Sequence, residues 1–247
     1  MTLALTQSVA LLGLDGHVVT VEVDIADGLP GYSLLGLPDA ALSESRDRVR
    51  SAIVNCGEVW PNRKVTVSLS PAWLPKSGSS FDLAICIALL SAHETVPTER
   101  ISEVVFLGEL SLDGKIRSVR GVLPALMAAY KAGVTMAVVP AANVEEAQLM
   151  QGMEIIPMHH LKQVLRWLRT GEREVEQQID LQWQPSDERL DFADVAGQPA
   201  ARLAAEIAAV GGHHILLIGQ PGAGKTMIAE RIPTNMHALS IVPALEV

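Results

Sequence analysis

The run Gly219-Gln220-Pro221-Gly222-Ala223-Gly224-Lys225-Thr226 constrains this chain more than any other stretch, because its spacing, G-x-x-x-x-G-K-[ST], is that of a phosphate-binding loop. The apolar run His214-Ile215-Leu216-Leu217-Ile218 before it reads as a buried strand, and Met227-Ile228-Ala229-Glu230-Arg231 after it reads as a helix start. The glycines let backbone N–H groups turn inward around a phosphate, and the helix N-terminus adds partial positive charge. Lys225 is placed to reach the outer phosphates of a nucleotide, and the Thr226 hydroxyl to take a place on Mg²⁺. The expected nucleotide site is the whole loop, Gly219 to Thr226, with ATP and Mg²⁺ as occupants; a glycine-rich turn is the plainer alternative. Beyond the loop the sequence runs only from Met227 to Val247, which is short for a nucleotide-hydrolysing domain.

At 247 residues the chain has room for one or two domains. Hydrophobic content of 49% with 19% charged residues fits a globular core and argues against disorder. Mean hydropathy is +0.27, yet the most apolar segment, Leu83 to Leu90, is too short to span a bilayer. The first residues, Met1 to Thr6, lack the charged-then-apolar pattern of a secretory signal. Cys56 and Cys86 match no metal spacing and read as reduced core residues, as expected of a cytoplasmic protein. A net charge of −9 argues against a module that coats nucleic acid, without excluding a basic pore elsewhere in a longer protein.

Residues 1–170 alternate strand and helix signals. Strands are expected at His17–Val23, Lys64–Leu69, Val104–Leu107 and Met136–Pro140. Helices are expected from Pro38-Asp39 through Cys56, with Leu42, Val49, Ala52 and Ile53 inward, from Phe81 to Ala92, and from Val122 to Lys131. Asp113-Gly114 sets a hairpin between Leu110 and Ile116. Between Thr170 and Glu188 the Glu- and Gln-rich composition loses every apolar period, so residues 171–189 are read as a linker. A new unit starts at Leu190, with a helix from Pro199 to Val210, and 190–247 is an incomplete nucleotide-binding domain. No internal repeat is present.

Part of the first domain resembles the proteolytic domain of Lon protease. The residues that carry the likeness are Lys76-Ser77-Gly78-Ser79-Ser80, Gly108-Glu109, Gly114, Gly121, Ala128-Ala129, Gly133 and Val139-Pro140. The resemblance places Ser80 where that enzyme has its nucleophile and Leu123 where it has the activating lysine. A serine without its base is a poor nucleophile, and nothing in the sequence positions Lys76 or Lys115 to substitute. The structural alternative is that Ser79 caps the following helix while Asp82 reaches back, in an S-x-x-D capping box. Other candidates have plain readings. His159-His160 and His213-His214 lack a ligand set and read as surface or boundary residues. Arg46, Arg48, Arg50 and Arg63-Lys64, interleaved with Glu44 and Asp47, read as a solvated helix face rather than a DNA contact. Trp60, Trp73, Trp167 and Trp183 read as packing residues.

Taken together, Gly31-Tyr32-Ser33-Leu34-Leu35-Gly36-Leu37-Pro38-Asp39, Asp191-Phe192-Ala193-Asp194-Val195-Ala196-Gly197-Gln198 and the loop ending Gly224-Lys225-Thr226 resemble the magnesium-chelatase-like AAA+ proteins of bacteria, the YifB or competence protein ComM group. The resemblance implies an α/β architecture: a degenerate Lon protease-like domain of mixed α+β type followed by the start of a P-loop AAA+ domain. It implies ATP and Mg²⁺ as cofactors. It also implies self-assembly into a hexameric ring in full-length members, and DNA as the substrate of a motor that drives branch migration in natural transformation. No membrane role follows from it, and chelatase activity is not implied by the kinship. After Arg231 the family's chain should continue to an acidic Mg²⁺-organising strand, a sensor and an arginine finger. Here Pro233 breaks the helix and no Asp-Glu strand follows, so a truncated product without ATPase activity of its own is expected.

Overall fold

Valine-rich alternation builds the main sheet. In the computed structural model, which describes residues 2–172 and 190–236, the chain divides into two units, one on either side of the segment left out. In the first unit β1 (Thr2–Leu12) and β2 (Asp15–Ala26) form a long antiparallel hairpin. Next come β3 (Gly31–Leu35), helices α1 (Ala40–Ser43) and α2 (Ser45–Asn55), and β4 (Lys64–Ser70), which is antiparallel to β2 and parallel to β3. Helix α3 (Asp82–Ala92) leads to β5 (Val104–Phe106), which lies parallel to β1. A separate small hairpin pairs β6 (Glu109–Leu110) with β7 (Ile116–Arg117) around the Asp113-Gly114 turn. Helix α4 (Val122–Lys131), β8 (Met136–Pro140), α5 (Val144–Ala147), β9 (Glu154–Met158) and α6 (Leu161–Thr170) complete the unit. The sheet order is β3-β4-β2-β1-β5-β8-β9.

Val19, Val21, Val23 and Ile25 of β2 and Val65, Val67 and Leu69 of β4 are buried on one face, as a period of two requires. That face carries α2, α3 and α6. Every residue of α3 is buried, so this helix is apolar all round and runs through the core rather than over it. On the opposite face α4 sets Val122, Ala125, Leu126 and Ala129 against Val9, Val105, Ala137 and Val139. No helix among the described residues is long and apolar enough to cross a membrane.

The helix expected from Pro38-Asp39 to Cys56 is two helices, broken at Glu44, yet Leu42, Val49, Ala52 and Ile53 are buried as expected. Asp39 caps the first of them, its carboxylate accepting the Leu42 N–H at 2.7 Å. Cys86 is buried and Cys56 half-buried, both as free thiols. Trp167 is buried and Trp60 packs on Tyr32, whereas Trp73 is 69% exposed with its ring set edge-on against His17, so its reading as a packing residue is corrected. Trp183 lies outside the described residues, as does most of the expected linker.

The second unit holds a 3-10 turn (Phe192–Asp194), α7 (Pro199–Gly211), α8 (Lys225–Arg231) and a closing 3-10 turn (Ile232–Asn235). Phe192, Val195, Ala205 and Ile228 form its core. The expectation of a buried strand at His214–Ile218 is corrected. The segment belongs to no ladder among the described residues, and it leaves Leu216 81% and Ile218 86% exposed. Only Ile215 and Leu217, on its other face, lean on the small core. A strand without neighbours leaves its backbone groups to water, and burying them unpaired would cost more than the side chains recover. Helix α8 ends at Arg231 and Pro233 sits in the 3-10 turn that follows, as its missing N–H dictates.

Candidate functional site

The candidate phosphate-loop residues form one loop and the helix start that follows it. Gly219, Gln220, Pro221, Gly222 and Ala223 form an exposed loop, and Lys225 and Thr226 open α8. Gly222 and Gly224 have φ of +81° and +78°, a region an L side chain enters at a cost. The Lys225 ammonium curls back over the loop and donates to the carbonyls of Gly219 (2.9 Å) and Gln220 (2.8 Å). Both acceptors are neutral, so an anionic oxygen arriving in the loop offers the ammonium a stronger partner. Thr226 is exposed at the first turn, its hydroxyl available as a hard oxygen donor of the kind Mg²⁺ takes. Gln198 enters this site from outside the motif. Its side-chain amide donates to the carbonyl of Ala223 at 2.8 Å. Motif reading missed it, although its place between Gly197 and Pro199 marks a special backbone position.

A second candidate lies in the first unit. Ser77, Gly78, Ser79 and Ser80 border a cleft of about 410 Å³, with Glu109, Ser118 and Arg120 at its polar side and Val9, Leu107, Val122 and Ala125 among its apolar walls. Gly108, at φ +153°, fastens this wall: its N–H donates to the Ser80 carbonyl (3.0 Å) and its carbonyl accepts from Leu83 N–H (3.1 Å). The side chain placed for a nucleophile is thus in a cleft, and neither lysine serves it. Lys76 is buried, and its ammonium donates to the carbonyls of Leu69 (2.9 Å) and Pro71; burial lowers its pKa. Lys115 is exposed and paired with Asp113. Leu123 stands where the Lon resemblance expects a lysine.

The capping box expected at Ser79 and Asp82 is not made. Phe81 occupies the N-cap of α3 with no side-chain cap. Ser79 donates its hydroxyl to the Glu109 carboxylate, and the Asp82 carboxylate takes other partners. The Asp82 carboxylate, fully buried, accepts from Arg48 Nε (2.6 Å), Arg48 Nη2 (3.0 Å) and the Leu110 N–H (3.2 Å). Burial lifts its pKa to about 6, against the pull of Arg48 and Leu110. A buried carboxylate beside a guanidinium outcompetes a local cap because either charge alone would be costly to desolvate. Arg48 is therefore a structural ion-pair partner rather than part of a solvated face. Arg46, by contrast, lies over the Tyr32 ring at 5.9 Å. His160 is a helix cap, its Nδ1 accepting from Lys162 N–H at 3.2 Å while Gln163 reaches back to the His160 N–H at 3.1 Å.

Comparison with known proteins gives matches along both units. The family described as subunit ChlI of Mg-chelatase matches residues 21–143, and the one described as magnesium chelatase, subunit ChlI, matches residues 191–247. A Mycobacterium tuberculosis protein is 50% identical over 247 residues, covering 100% of this chain and 49% of its own. YifB of Escherichia coli is 40% identical over 246 residues (100% and 48%), and competence protein ComM of Haemophilus influenzae 36% over 251 (100% and 49%). The chain thus spans about half the length of the curated relatives it matches. Lon protease 1 of Myxococcus xanthus is 27% identical over 165 residues, 62% of this chain and 20% of its own. The fold class is mixed α/β, a Lon protease-like unit followed by the start of a P-loop AAA+ unit.

Proposed function

The chain belongs to the YifB/ComM family of magnesium-chelatase-like proteins, and from that premise we propose that it carries the ATP site of a ring motor that acts on DNA. The observation that carries this reading is the loop from Gly219 to Thr226, whose lysine, among the described residues, donates to two neutral carbonyls. The donor set fits a polyphosphate: loop N–H groups and Lys225 for the phosphates, Thr226 for the Mg²⁺ they share. Bound ATP with Mg²⁺ supplies phosphoanhydride hydrolysis as the source of work. Residues 190–247 are the beginning of the ATPase domain, residues 171–189 a linker, and residues 1–170 a Lon-like domain that has lost proteolysis. DNA as the track, a hexameric ring of identical chains, branch migration in competence and a cytoplasmic location follow from the relationship to ComM, whose name records competence.

For the first domain, Leu123 and the engagement of Lys76 and Lys115 elsewhere favour a binding role over peptide hydrolysis. The test uses the full-length protein with branched DNA. ATP hydrolysis should rise on adding the DNA and vanish in Lys225→Ala. Hydrolysis that survives Lys225→Ala overturns the site, and hydrolysis indifferent to DNA overturns the motor assignment.

A further inference from the structure

Gln198 combines two features that neither packing nor helix formation calls for. Its backbone is left-handed, with φ 50° and ψ 55°. An L-residue in that region is strained, and a residue before proline is ordinarily driven to extended conformations. Here Pro199 follows directly. At the same time Gln198 is held at two points: its carbonyl accepts the Arg202 N–H at 3.0 Å, starting α7, and its amide donates to the Ala223 carbonyl at 2.8 Å. A strained residue persists where its surroundings over-determine it, and the side-chain bond is the part of those surroundings that reaches the loop.

The Ala223–Gly224 peptide is the one that this bond orients. In a trans peptide the C=O and N–H point in opposite directions, so an amide that holds the Ala223 oxygen on one side aims the Gly224 N–H to the other. That N–H donates to no acceptor among the described residues. Gly224 is itself fitted to the arrangement: its φ is +78°, and a Cβ there would lie 3.0 Å from the Gln198 amide nitrogen. The positive φ accounts for a glycine directly before Lys225.

We propose that Gln198 is a positioning residue for the phosphate loop: by holding the Ala223 carbonyl it fixes the loop's apex peptide so that the Gly224 N–H is presented to a nucleotide phosphate. The inference rests on the reading of Gly219–Thr226 as the ATP site. It gives the polarity of the apex peptide to a side chain that lies outside the loop, at the start of a different helix. Without the amide the apex peptide is free to rotate, and the donor is lost from the pre-set cradle although no phosphate-contacting residue has changed.

The experiment measures ATP and adenosine binding by equilibrium titration in the full-length protein, for wild type, Gln198→Gly, Gln198→Glu and Lys225→Ala. Gln198→Gly relieves the left-handed strain, so its melting temperature should equal or exceed that of wild type, while ATP affinity falls by about fivefold, the worth of one hydrogen bond. Gln198→Glu keeps the side chain's shape but turns an acceptor toward the Ala223 carbonyl, and its loss should be at least as large. Adenosine affinity should be the same in wild type and both Gln198 variants, because only phosphate donors are disturbed. ATP affinity that is unchanged in both Gln198 variants, alongside a loss in Lys225→Ala, overturns the role of Gln198 and leaves the ATP site standing. Equal losses for ATP and adenosine overturn it too, since they indicate general damage to the unit. ATP binding that is absent from wild type, or indifferent to Lys225→Ala, overturns the ATP site and the inference with it.

Discussion

Replacing Arg48 by alanine should destabilise the first unit by about 3 kcal/mol at pH 7.5 and by much less at pH 5. Asp82 is fully buried and the Arg48 side chain is 18% exposed, so removal of the arginine leaves a carboxylate in the core with one remaining donor among the described residues, the Leu110 N–H. Breaking a buried pair from one side costs about 3–5 kcal/mol, and the partial exposure of Arg48 sets the lower end. The pH dependence follows from the raised pKa. Asp82 goes from an ordinary 3.8 to about 6 on folding, so its contribution to stability is fully present below about 3.8 and is lost as pH rises through about 6. Without Arg48, which lowers that pKa, the folded value rises further, and the gap between variant and wild type widens as pH climbs past 6. Urea unfolding followed by tryptophan fluorescence at pH 5 and 7.5 reads both numbers. The double variant Arg48→Met/Asp82→Asn should recover most of the loss, because no buried charge is then left alone. A cost under about 1 kcal/mol at pH 7.5, or one equal at the two pH values, would refute the buried-pair argument.

Other outcomes follow from the same packing and site geometry. Ile87→Ala, on a helix buried on all sides, should cost about 2–5 kcal/mol in the same assay, whereas Leu3→Ala, on an exposed strand position, should cost far less. The wild-type protein should show no fluorophosphonate labelling at Ser80 and no casein hydrolysis that Ser80→Ala removes, since a serine without its base loses most of its rate enhancement. Gly224→Ala should weaken ATP binding in the full-length protein, because it meets both a positive φ and the Gln198 amide; binding as tight as wild type would contradict the loop geometry.

Much of the fold was legible because its signals are local. The alternation at Lys64–Leu69, the Asp-Gly turn and the helix from Val122 to Lys131 stand where residue pattern and turn chemistry put them. The break at Glu44 was not legible, since Leu42 and the later apolar positions keep one helical face across it. The strand at His214–Ile218 was misread for a physical reason: an apolar run signals what a segment could bury, but burial needs partner strands, and none pairs with it among the described residues. At the sites, the candidate phosphate loop is a contiguous motif, so its residues stand together in the sequence. Asp82 and Arg48 are 34 positions apart and Gln198 and Ala223 are 25 apart, so both pairs emerge only when folding brings them together. Asp82 carries the lesson most clearly, because its spacing to Ser79 matched a cap while a distant guanidinium claimed it.

The ATP site is the central claim, and the most direct measurement is ATP affinity in the full-length protein with Mg²⁺ present, compared between wild type and Lys225→Ala. The ammonium held over Gly219 and Gln220 is the loop's one side-chain cation, and a charge-assisted bond to phosphate is worth about 1.5–3 kcal/mol. The account predicts saturable binding by wild type and an affinity at least about tenfold lower in the variant. Equal affinities, or no binding by wild type, would contradict it.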